Sequence, residues 1–75
     1  MNENYENSSS VHVLRCVRFQ NYPAGWLVKV EEKGKVTVLP GVSGIPYPNE
    51  ESANAVAQKK YEELENKGLN PKKVF

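Results

Sequence analysis

The chain carries one imidazole, His12, and one thiol, Cys16. Their spacing of four puts both on one face of an extended strand. His12 has no Cys or Ser on an obvious turn to activate, so it makes a poor catalytic base. Cys16, in mid-strand, reads as a small buried hydrophobe. The nearby Arg15 and Arg18 are the only feature that favours a reactive thiol there. One Cys and one His leave too few soft ligands for a structural zinc site, so neither metal nor cofactor is expected. The carboxylates make no better case. Glu31 and Glu32 fall at a hairpin tip, Glu50 and Glu51 open a helix, and Glu62, Glu63 and Glu65 ride on it; the chain has no aspartate. Raising a carboxyl pKa needs burial or a close like charge, and 75 residues leave little room for such a pocket. Walker and Rossmann patterns are absent. The sequence therefore predicts no enzyme.

Two groups of residues suit binding instead. Residues 39–48 read Leu-Pro-Gly-Val-Ser-Gly-Ile-Pro-Tyr-Pro, with three prolines and two glycines between a strand-like and a helix-like segment. Tyrosine binds protein surfaces through an apolar ring and a hydroxyl, and proline lowers the ordering cost of such a loop. Tyr22, Ile45 and Tyr47 are the protein-binding candidates; the alternative is a rigid crossover whose Ile45 and Tyr47 cap the core edge. Arg15, Arg18, Lys29, Lys33 and Lys35 are the nucleic-acid candidates, on the argument that a small sheet laid in a groove can read a duplex. The alternative for them is an ordinary solvated sheet face.

The elements that must position these residues follow from pattern. Residues 1–10 are polar, with Tyr5 as the sole large apolar group after Met1, and read as a flexible leader. Residues 11–20 form a strand with apolar side chains on both faces, which suits a central strand or one bulged near Arg15. Asn21-Tyr22-Pro23-Ala24-Gly25 is a turn. Residues 26–31 alternate, and Glu32-Lys33-Gly34 closes a hairpin onto residues 35–39, with Val36 and Val38 expected on the side of Trp26. A helix follows, capped by Asn49, carrying Ala53, Val56, Ala57, Lys60/Tyr61 and Leu64 at helical spacing and stopped at Gly68 before Pro71. Glu63 and Lys67 suit an i,i+4 pair. Trp26 and Phe19 are expected to fill the space left by the two alanines, and Leu69, Val74 and Phe75 to fold back and seal one end. The expected architecture is one α+β domain over residues 11–75: a three-stranded antiparallel sheet with one helix packed across one face.

Composition agrees with a small globular domain, at 39% apolar and 25% charged residues. The formal charge is +1, with the surplus in residues 11–47, far below the patch of a dedicated nucleic-acid binder. No apolar run approaches the length of a membrane span, residues 1–10 lack a signal-peptide pattern, and a lone cysteine fits a reducing, cytoplasmic setting. In its order of elements the chain resembles the N-terminal arm-binding domain of tyrosine recombinases. Trp26 to Leu39, Tyr47 and Glu50-Glu51-Ser52-Ala53 carry that likeness, which implies a sheet laid in the major groove. Pro23-Ala24-Gly25-Trp26 and Asn70-Pro71-Lys72 resemble segments of MbtH-like proteins, small partners of adenylation enzymes. The Ser-Leu-Trp-Pro stretch of that family is missing, and a further strand follows Trp26. The first likeness is one of architecture, and the chain is assigned to neither family. The sequence favours a non-catalytic binding or regulatory module that contacts another protein. A nucleic-acid-binding module using an open basic sheet face is the alternative, and a homodimer by edge pairing or tail sharing is compatible with so small a core.

Overall fold

The structure, a computed structural model, describes residues 9–16, 24–41 and 44–75. Four strands and one helix follow in the order β1 (Ser9–Cys16), β2 (Gly25–Glu32), β3 (Lys35–Leu39), α1 (Glu50–Asn66) and β4 (Lys72–Val74). The sheet runs β3-β2-β1-β4. β1 pairs with β2 antiparallel and with β4 parallel. This corrects the expected three-stranded antiparallel sheet: it has a fourth strand and is mixed. The reason lies in the chain's end. Gly68, at φ 84°, closes α1 in a Schellman motif, with Gly68 N–H donating to Glu65 O at 3.0 Å and Leu69 N–H to Leu64 O at 3.2 Å. The chain then turns back through buried Pro71, and Lys72, Lys73 and Val74 come to lie beside Ser10, Val11 and His12. Three residues are too few to declare a strand by alternation.

β1 is central, as its two-sided apolar pattern implies. It begins at Ser9, and Ser9 and Ser10 are both buried. Val11, Val28, Val30, Ala53, Ala57 and Leu64 make the core, and Val13, Trp26, Leu39, Tyr47, Val56, Tyr61, Leu69 and Phe75 pack around it. The alanines let α1 lie close over β1 and β2. Trp26 does pack against that core; Phe19 lies outside the described residues. The helix start is the expected one: Asn49 Oδ1 accepts from Ser52 N–H at 2.8 Å, and Glu50 and Glu51 sit in the first turn.

The hairpin overturns one expectation. Lys33 and Gly34 both have positive φ, 54° and 87°, the signature of a two-residue type I′ turn. That turn sets Glu32 opposite Lys35, which makes Val30 face Thr37 and Val28 face Leu39. Val36 and Val38 therefore lie opposite Glu31 and Lys29, on the face away from the helix and away from Trp26. Lys67 also departs from expectation. Its ammonium reaches Glu32 at 3.0 Å, joining the helix end to the hairpin, while Glu63 pairs with Lys60 at 3.5 Å. No helix among the described residues is long and apolar enough to cross a membrane.

Candidate functional site

The face of the sheet away from α1 is built by alternation. β1 contributes Ser10, His12, Leu14 and Cys16, β2 contributes Leu27, Lys29 and Glu31, β3 contributes Val36 and Val38, and β4 contributes Lys72 and Val74. Leu14, Val36, Val38 and Val74 are 41–52% exposed. The largest fully buried side chains of the core are themselves valines. The open face thus leaves in water aliphatic groups of the size the core buries.

Polar groups cross the middle of this face. Ser10 Oγ donates to Glu31 Oε1 at 3.0 Å, and His12 Nε2 lies 3.0 Å from the same hydroxyl. With the hydroxyl proton given to Glu31, the histidine contact requires Nε2 to carry a proton and donate it. This is the reverse of a nucleophile's arrangement, in which imidazole accepts from serine. The relay satisfies a buried hydroxyl and ties β1 to β2. With Ser9 and Lys72 these three residues line a depression of about 250 Å³. Sequence reasoning missed the cluster. Ser10 and His12 share a strand face two residues apart, which is a readable signal, but polar composition puts Ser10 in the leader, and Glu31 joins them only through the strand register.

The basic candidates do not converge among the described residues. Lys29 stands on the open face. Arg15 pairs with Trp26 on the helix side, its guanidinium 5.8 Å from the indole centroid. Lys35, opposite Glu32, is also on the helix side, and Lys33 is in the turn. Arg18 lies outside the described residues.

The loop candidates separate as well. Ile45 is 72% exposed. Tyr47 is half-buried against the core, and its backbone exchanges two hydrogen bonds of 2.9 Å with Trp26, filling the place beside β2 where β3 has ended. Gly25 permits that approach, because a Cβ there would stand 2.6 Å from Tyr47 O and 2.7 Å from Pro46 Cβ. Tyr22 lies outside the described residues. Among the described residues no three His, Cys, Asp or Glu side chains gather as a metal site. The Tyr61 phenol titrates above its ordinary value, first through desolvation and then through the charge and hydrogen bond of Glu65.

No protein-family model, curated protein or solved structure matches the chain.

Proposed function

We propose that the chain is a non-catalytic protein-binding module that docks its partner on the open face of the sheet. One observation carries this reading: Leu14, Val36, Val38 and Val74 stay exposed on one face of a four-stranded sheet whose other face carries the helix over its two middle strands. Water solvates such a face poorly, and exposed aliphatic groups clustered on one surface are a common mark of protein contact. Lys29 lies among them and enters no ion pair among the described residues. The fitting partner is a folded protein with an apolar strip and a carboxylate set to meet Lys29. The nucleic-acid alternative draws less support, because Arg15 and Lys35 lie on the other side of the sheet from Lys29.

Immobilised wild-type protein, a Leu14→Lys/Leu27→Lys variant and a Lys59→Glu variant on the helix's exposed side, exposed to native lysate, test this reading. A protein held by wild type and Lys59→Glu but released by the open-face variant supports it, provided helical circular dichroism is retained. Equal capture by all three, or capture of nucleic acid alone, would sink it.

A further inference from the structure

The two edges of the sheet are unlike. β4 is three residues long, and two of them are lysines, a combination that discourages added strands. β3 reads Lys-Val-Thr-Val-Leu, with no proline and its only charge beside the hairpin turn; residues 35–38 are exposed, and α1 lies over β1 and β2 rather than over β3. The hydrogen-bonding phase of this edge can be read from its neighbour. Trp26 exchanges both backbone bonds with Tyr47 on the β3 side of β2. Residues of the same parity along β2 direct their groups the same way, so Val28, Val30 and Glu32 bond to Leu39, Thr37 and Lys35. The backbone groups of Val36 and Val38 point out from an edge that no strand among the described residues pairs with.

We infer that β3 is a self-association edge, pairing antiparallel with β3 of a second copy about a two-fold axis at Thr37. In that register Val36 meets Val38 of the second copy, and Val38 meets Val36. These are the residues whose N–H and C=O groups point outward, so both pairs close as hydrogen-bonded pairs and the edge is complementary to itself. Four valines then form one strip on the open face of a continuous eight-stranded sheet. Lys35 falls opposite Leu39 rather than opposite its own copy. The two Lys35 residues stand about 14 Å apart along the strands, beyond the ~8 Å screening length at physiological salt. A formal charge of +1 adds little further repulsion. Five residues make a short interface, so the dimer is weak and depends on concentration.

Sedimentation equilibrium over a concentration series tests this with three proteins. Wild type moves from 8.5 kDa toward twice that mass as concentration rises. Val38→Pro removes an outward N–H while leaving the β2 ladder intact, and raises the midpoint concentration by roughly 30-fold through the two bonds lost per dimer. Leu14→Ser/Leu27→Ser, which weakens open-face docking without adding charge, leaves the midpoint unchanged, so failure of this inference and failure of the docking reading are separable. As a second readout, Thr37→Cys on a Cys16→Ser background cross-links to itself under oxidation, and Lys35→Cys on that background does not, since only position 37 meets its own copy at disulfide distance. A wild type that stays at 8.5 kDa at millimolar concentration overturns the inference. So does a folded Val38→Pro that associates as wild type does, or cross-linking at position 35 in preference to 37.

Discussion

At the scale of single residues, the chain's chemistry lies in small polar contacts. Tyr61 is the clearest titrating case. Its phenol stands edge-on to Phe75 with ring centroids 6.4 Å apart, and Lys73 Nζ lies 5.6 Å from its centroid. Desolvation, followed by Glu65, favours the neutral phenol in the folded state and raises its pKa. The associated stability is present below the unfolded pKa and is lost as pH rises through the folded one. Urea unfolding across the alkaline range should therefore show stability falling above about pH 10, and Tyr61→Phe should make that fall shallower. Identical slopes would remove Tyr61 from the account. The candidate site was legible only in part at this scale. Lys29 and Ile45 were recognised as available, but the Glu31-Ser10-His12 relay needs two strands in register, which no single stretch of sequence states. Tyr47 was chosen for its chemistry, and the structure uses its backbone to extend the β2 edge.

At the scale of elements, strong local signals carried through and weak ones did not. The Asn49 cap, the alanine stripe and the Gly68 stop define α1 because each has a local physical cause, and the observed helix obeys all three. The hairpin was legible in its turn residues, yet its register was misassigned. Apolar type suggested that Val36 and Val38 sit with Trp26, whereas the two-residue turn puts them opposite Glu31 and Lys29. Turn geometry outranks side-chain character in setting parity. β4 was invisible because it is short and its pairing is non-local. Phe75 and Tyr61 hold its end: Phe75 packs against the core and against the Tyr61 ring, and Lys73 lies over both. Phe75→Ala should cost about 1–2 kcal/mol from lost apolar burial and ring contact. Amide exchange of Lys72, Lys73 and Val74 should quicken while the α1 amides keep their protection. Unchanged exchange in β4 would show that the parallel pairing stands without the tail.

At the scale of the whole molecule, one helix covers the middle of one side of a four-stranded sheet and nothing among the described residues covers the other side. Among the described residues the buried core consists of valines, alanines and one leucine, and the exposed large aliphatic side chains other than Ile45 stand on the open face. That distribution is the ground for the protein binding proposed above, and the β3 edge is the ground for the inferred self-association. The most direct measurement is a two-dimensional amide NMR titration of labelled protein, kept dilute enough to be monomeric, with the protein captured from lysate. The account predicts shift changes concentrated at Leu14, Leu27, Lys29, Val36, Val38 and Val74, with Glu51, Ala55, Lys59 and Glu62 on the helix exterior unmoved. Changes concentrated on the helix exterior or at Ile45, with the open face silent, would contradict it.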